Sequence, residues 1–199
     1  RIERARGIRL PDAVMAEAAT PRDLVAAILS ASPAVAEARP LPLPATAPGI
    51  PAPASARTLV DVLRWHADRT PDRAHIHLRH DDGSETSITY GGLLTGASTV
   101  SAGLRSLDVK AGEPVALMLR TEQAFFDAFV GTLLTGAVPV PLYPPVRRDE
   151  LLEFVRRQQA IVRNAGARVL VTFGEAERLT PLLRARAPSL STITTVERL

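Results

Sequence analysis

From Arg57 onward, apolar positions follow two alternating rhythms. One is the three-to-four-residue spacing of a helix with a single buried face. The other is the short apolar run of a buried strand. Leu59, Val62, Leu63 and His66 recur at helical spacing behind Thr58, a capping residue type, and Thr70-Pro71-Asp72 closes that segment. His75 to His80 alternates, with Ile76 and Leu78 as its apolar positions. Asp81-Asp82-Gly83-Ser84 has hairpin-turn chemistry, and Thr86 to Thr89 pairs back. Tyr90 to Leu107 is helical but rich in small residues, which predicts close packing. Lys110-Ala111-Gly112 turns into a short apolar strand from Val115 to Leu119.

The next predicted helix, Thr121 to Thr135, has an apolar face of Phe125, Phe126, Phe129, Val130, Leu133 and Leu134, and Gly136 is placed to end it. Val138 to Leu142 reads as a strand in spite of Pro139 and Pro141, which confines it to an edge or an irregular crossing. Asp149 and Glu150 open a further helix, with Arg163 near its end and Gly166 as its stop. Val169 to Thr172 is a buried strand, Leu179 to Ala187 a helix, and Thr192 to Val196 the start of one more strand. The fold class expected is α/β, with a helix-flanked, largely parallel sheet.

Upstream, the pattern differs. Arg1 to Arg6 reads as the end of a helix stopped by Gly7, and Ile8, Leu10 and Pro11 form an apolar connection. Thr20-Pro21-Arg22-Asp23 is a helix start: Thr20 caps, Pro21 suits the first helical position, and Asp23 is the capping acid. Leu24, Val25, Ile28 and Leu29 then share one face. Between Ala31 and Ala56, Pro33, Pro40, Pro42, Pro44, Pro48, Pro51 and Pro53 exclude a helix or a central strand, leaving a semi-extended spacer. The division expected is a small helical piece over 1–30, a Pro/Ala-rich linker over 31–56, and the α/β region over 57–199. A start at Arg1 and an α/β pattern unfinished at Leu199 give the expectation that this is a segment of a longer polypeptide.

Composition adjusts this picture in three places. Apolar residues make up 46% and aromatics only 4%, so aliphatic side chains fill the core. The net charge is +3, with Lys110 the only lysine. The arginines are interspersed with Asp and Glu and lack interleaved aromatics, which argues against a nucleic-acid partner. There are no cysteines, which excludes disulfides, thiolate metal sites and a Cys nucleophile, and fits a cytoplasmic protein. The most apolar region, Ala124 to Tyr143, is interrupted by Asp127, Pro139 and Pro141, so a helix followed by a strand explains it better than membrane insertion.

Candidate chemistry is sparse. His75, His77 and His80 suggest a metal site, but strand alternation puts His80 on the face opposite the other two, and no carboxylate is in register with them. A solvated strand face is the better reading. Asp81-Asp82 belongs to a turn and Asp149-Glu150 to a helix start. A phosphate cradle needs backbone N–H groups in a Gly-rich loop beside a Lys. Gly91, Gly92 and Gly96 lie in a helical stretch without one. Catalytic, cofactor-binding and metal-ligating residues are therefore expected to be absent from this chain.

Four segments in order carry a resemblance. Thr58 to Ala74 (TLVDVLRWHADRTPDRA), Ser87 to Leu93 (SITYGGL), Lys110 to Leu117 (KAGEPVAL) and Gly131 to Leu142 (GTLLTGAVPVPL) together resemble the opening of the adenylate-forming, AMP-binding superfamily. Pro141 to Pro145 (PLYPP), the following helix with Arg157, Ile161 and Asn164, and Ala165 to Thr172 (AGARVLVT) resemble its fatty acyl-AMP ligase branch, relatives of long-chain acyl-CoA synthetases. Arg1 to Pro11 and Ala19 to Val25 resemble the second half of an acyl carrier protein.

The resemblance implies an enzyme that activates a fatty acid with ATP and Mg²⁺ and passes the acyl group to a carrier-protein or CoA thiol. It also implies phosphopantetheine on the carrier, whose attachment serine is not in this chain. None of the family's catalytic elements maps onto a position here, so the segment alone is expected to be inactive and to supply scaffold. Leu142 and Tyr143, which follow a strand, are the candidates for a wall of the acyl pocket. The rival expectation is a non-catalytic interaction segment of a multidomain lipid, polyketide or peptide synthase. An amino-acid-activating domain of peptide synthesis is a third.

Overall fold

The computed structural model describes residues 10, 14, 18, 20–31, 53–80, 82–144, 151–174, 184 and 187–199, with only the backbone over 151–155. The chain divides into two units, Arg1–Ala52 and Pro53–Leu199. The expected helix end at Arg1 to Arg6, the linker over 32–52, the Asp149-Glu150 helix start and most of the helix expected at Leu179 to Ala187 lie outside the described residues.

In the first unit, α1 spans Pro21–Ser30. Thr20 Oγ1 accepts the Asp23 N–H at 3.3 Å, and Asp23 Oδ2 accepts the Thr20 N–H at 2.8 Å. This is the reciprocal capping box read from the sequence.

The second unit opens with the same device. Thr58 Oγ1 accepts the Asp61 N–H at 3.1 Å, and Asp61 Oδ2 accepts the N–H groups of Thr58 and Arg57 at 3.0 and 3.1 Å, starting α2 (Leu59–Arg69). Those bonds, that from Arg57 first, hold the Asp61 carboxyl below the usual aspartate range. Thr58→Ala removes one cap acceptor and is expected to cost about 1 kcal/mol, read as a lower unfolding midpoint, whereas Thr58→Ser is expected to retain most of it.

A hairpin follows: β1 (Ala74–Arg79) pairs antiparallel with β2 (Glu85–Thr89), with Ile76 opposite Ile88 and a register irregularity at His75. Asp82 Oδ1 accepts from the Ser84 N–H and hydroxyl in the turn. Thr89 caps α3 (Tyr90–Ser106) through the Gly92 N–H.

The central sheet comprises β3 (Pro114–Met118), β4 (Val138–Pro141), β5 (Val169–Thr172) and β6 (Thr192–Thr195), ordered β4-β3-β5-β6 and parallel throughout. α4 (Gln123–Leu134) joins β3 to β4, and α5 (Leu151–Ala165) joins β4 to β5. Gly136 and Gly166, at φ +80° and +69°, end these helices in the left-handed region that glycine alone enters without strain.

Side chains alternate between the sheet's two faces. Val115, Leu117, Val169 and Val171 pack against Val100 and Leu104 of α3 and Ala128 of α4. Ala116, Met118 and Leu170 pack against Val162 of α5, with Ala187 and Leu190. The sheet is thus covered on both faces, as the alternating pattern predicts. A third cluster, Leu63, Leu78, Ile88 and Leu93 with Phe126 and Val130, joins α2 and the hairpin to the outer side of α3 and α4.

The small residues of α3 matter where it crosses α4. A Cβ at Gly96 would lie 2.5 Å from the Asp127 carboxyl carbon, and one at Gly131 would lie 2.7 Å from Val100 Cβ.

β4 is the edge strand that its prolines require. The N–H groups of Val138 and Leu142 donate to Glu113 and Leu117 of the β3 segment at 2.9 and 2.8 Å. Pro139 and Pro141 occupy the alternate positions facing the free side, where they offer no N–H to an incoming strand. Among the described residues, no helix is long and apolar enough to cross a membrane.

Candidate functional site

In an open α/β sheet, ligands bind outside the carboxyl ends of the strands, where neighbouring strands send their connections to opposite faces. Here that point lies between β3 and β5. The chain leaves β3 into α4, on the face of Val115 and Leu117. It leaves β5 toward Ala187 and Leu190, on the face of Ala116 and Leu170. Arg120 follows β3 and Phe173 follows β5. The Arg120 guanidinium carbon sits 4.6 Å from the centre of the Phe173 ring, bridging the two strand ends. Glu122 caps the start of α4 without a side-chain hydrogen bond. Beyond β6, a 3₁₀ turn (Val196–Arg198) carries Glu197, whose carboxyl is held below the usual range chiefly by the Thr195 hydroxyl.

Sequence reasoning missed Arg120 and Phe173. They are separated by more than a third of the α/β region, and the strand order that makes their strands neighbours is not written in local pattern. The residues it selected, Leu142 and Tyr143, follow the edge strand β4. Leu142 is buried among Ala116, Met118 and Val162, whereas Tyr143 is 84% exposed. Backbone pairing continues through Leu142, whose side chain is part of the core, and Tyr143 stands in solvent beside the crest.

The three hairpin histidines take separate partners. His77 Nδ1 lies 2.9 Å from the Ser87 hydroxyl, and His80 Nε2 lies 2.9 Å from the Thr86 hydroxyl. His75 turns at the register irregularity and stacks on Tyr90, with ring centroids 4.3 Å apart. His66 of α2 also stacks on Tyr90, at 4.5 Å. Burial first, and His66 second, lower the His75 imidazole below its usual value.

The glycines considered for a phosphate cradle are occupied structurally. Gly91, Gly92 and Gly96 lie in α3, and Gly96 is covered by Asp127. Their N–H groups belong to a helix and its cap, so they do not fit a triphosphate or its Mg²⁺.

A doubly covered parallel sheet with a switch point between β3 and β5, preceded by a helix and a hairpin, defines an α/β domain whose ligand crevice lies at the carboxyl end of the sheet. A family model of the AMP-binding enzymes matches residues 63–199, and the chain belongs to that family. It is 31% identical over 119 residues to a medium-chain-fatty-acid–[acyl-carrier-protein] ligase of Teredinibacter turnerae, covering 59% of this chain and 18% of that protein. It is 38% identical over 89 residues to Disco-interacting protein 2 homolog A of Mus musculus, covering 44% of this chain and 6% of that protein. Among solved structures it is similar to a fatty acyl-adenylate ligase of L. pneumophila in complex with acyl adenylate and pyrophosphate, with a TM-score of 0.61 and 26% identity over 72% of this chain and 25% of that one. The chain therefore spans a quarter or less of the length of these relatives.

Proposed function

We propose that this chain is the N-terminal part of an ATP-dependent fatty acyl-AMP ligase and that its role is to build the sheet, its crest and part of the acyl-pocket wall. The observation that carries this reading is the likeness of its α/β unit to a fatty acyl-adenylate ligase, with 26% identity and a TM-score of 0.61. The acceptor is a carrier-protein or CoA thiol, and the likeness to the T. turnerae ligase supports the carrier protein.

The reaction of the whole polypeptide is acyl activation. A carboxylate oxygen attacks the α-phosphorus of ATP, and pyrophosphate leaves with Mg²⁺. A thiol sulfur then attacks the acyl carbon, and AMP departs. The residues that handle nucleotide belong to polypeptide other than these 199 residues, which are inactive by themselves. Tyr143 is the wall residue on this reading, and Leu142 supports it from the core. Residues 1–30 are the later part of an acyl carrier protein, tethered by the 31–56 linker. The whole acts in the cytoplasm.

The test is ATP–pyrophosphate exchange on the full polypeptide that carries this chain. Exchange stimulated by fatty acids is expected. Exchange with amino acids alone moves the protein to peptide synthesis, and no exchange with any carboxylic acid leaves it as a scaffold segment.

A further inference from the structure

On the side of α3 and α4 away from the sheet, α2, β1 and the two helices leave a cavity of about 210 Å³. Its floor is Leu63 and Leu93, both buried. Val62, Phe129 and Val130 form walls that are only partly buried, so the cavity opens to water on that side. A packed interior leaves few voids larger than a water molecule. A space of this size is therefore one that the fold itself does not fill.

The polar groups at the cavity belong to two rings. Tyr90 is held between His66 and His75, with ring centroids 4.5 and 4.3 Å away, so both of its faces are covered. Among the described residues, neither the Tyr90 hydroxyl nor a His75 ring nitrogen has a hydrogen-bond partner. An apolar cavity with a few convergent polar groups is the usual form of a small-molecule site.

The lining also selects against charge. No carboxylate, ammonium or guanidinium lines the cavity. Burial first, and His66 second, lower the His75 imidazole, which leaves it uncharged at neutral pH with one ring nitrogen as an acceptor. A charged ligand loses its hydration here and gains no ion pair in return. By comparison with the apolar cavity of about 150 Å³ that holds benzene, this one accommodates about nine ring atoms.

We propose that this cavity is a binding site for a small uncharged aromatic molecule with one hydrogen-bond donor, its ring against Leu63, Leu93 and Phe129 and its donor on the His75 imidazole. Such a molecule has no carboxyl group to adenylate, so it is an effector and not a substrate, and the site is independent of the ligase reading. Bound there, it braces α2 and β1 against α3 and α4.

The test is calorimetric titration of the full polypeptide with indole at neutral pH in the absence of ATP. Benzofuran has the same ring size without a donor, and indole-3-carboxylate adds a charge. Indole is expected to bind, benzofuran about fivefold more weakly, and indole-3-carboxylate at least about tenfold more weakly. His75→Leu is expected to weaken indole about fivefold and to leave benzofuran unchanged, which separates a lost hydrogen bond from a disturbed wall.

Val62→Phe fills the cavity from a partly exposed position and is expected to weaken indole and benzofuran about tenfold without lowering the unfolding midpoint. Val60→Phe is a second filling variant from the same helix. The absence of indole binding by wild type overturns the proposal. So does equal binding of indole and indole-3-carboxylate, or wild-type affinity for indole in both filling variants. A His75→Leu protein that still prefers indole to benzofuran as wild type does overturns it as well.

Discussion

Gly131→Ala is expected to destabilise the Pro53–Leu199 unit by about 3 kcal/mol, although alanine is the better helix former by up to about 1 kcal/mol. Gly131 lies in α4 where it crosses α3. An added Cβ would stand 2.7 Å from Val100 Cβ and 2.8 Å from the Ala97 carbonyl oxygen. The side-chain neighbour can be trimmed, but the carbonyl belongs to the α3 backbone, so relief requires the helices to part. Both helices cover the same sheet face, packing on Val115, Leu117 and Val171, and parting them opens the largest core cluster. The measurement is the denaturant midpoint of the alanine variant, alone and combined with Val100→Ala. Only partial rescue is expected, because the carbonyl contact remains. An unchanged or raised midpoint for Gly131→Ala would refute the close crossing.

The second large effect is tied to pH. Asp127 is 8% exposed, faces Gly96 across the same helix crossing, and has a buried Oδ1 without a hydrogen-bond partner. Burial pushes its carboxyl above the ordinary aspartate value, and a hydrogen bond from Gln123 offsets this in part. The folded chain therefore holds this proton more tightly than the unfolded chain does. The stabilising contribution is complete below the ordinary aspartate range and is lost as pH rises through the raised folded value.

Asparagine fills the same space without a charge, so Asp127→Asn is expected to be more stable than wild type by about 2 kcal/mol at pH 8. The difference should fade toward about pH 3.5, where both side chains are neutral. Unfolding midpoints of the two proteins across that range provide the check. If the asparagine variant proves weaker at pH 8, the ionised carboxylate has a stabilising partner and the assignment is wrong.

Much of the fold was legible in sequence because it depends on neighbours along the chain. Thr20, Asp23 and Thr58 cap helices through N–H groups three residues away. Gly136 and Gly166 end helices because they alone tolerate positive φ. Pro139 and Pro141 restrict β4 to an edge because they lack a donor. The alternation of helix and strand rhythms was enough to imply a parallel sheet, and four ordered segments were enough to suggest the family.

Strand order is different in kind. That β3 lies between β4 and β5 follows from two crossover connections folding back over opposite faces. It is decided by long-range burial, to which no local window is sensitive. That order makes Arg120 and Phe173 neighbours and leaves Leu142 and Tyr143 at the end of the adjoining edge strand, while the crossing of α3 and α4 places Asp127 against Gly96. The register irregularity that turns His75 onto Tyr90 was hidden for the same reason, since strict alternation assigned it to the face of His77. The sequence by itself therefore determined the elements, their ends and their class, through contacts spanning a few residues. The tertiary structure decided which ends meet and which charges are buried, because those depend on how distant apolar faces exclude water together.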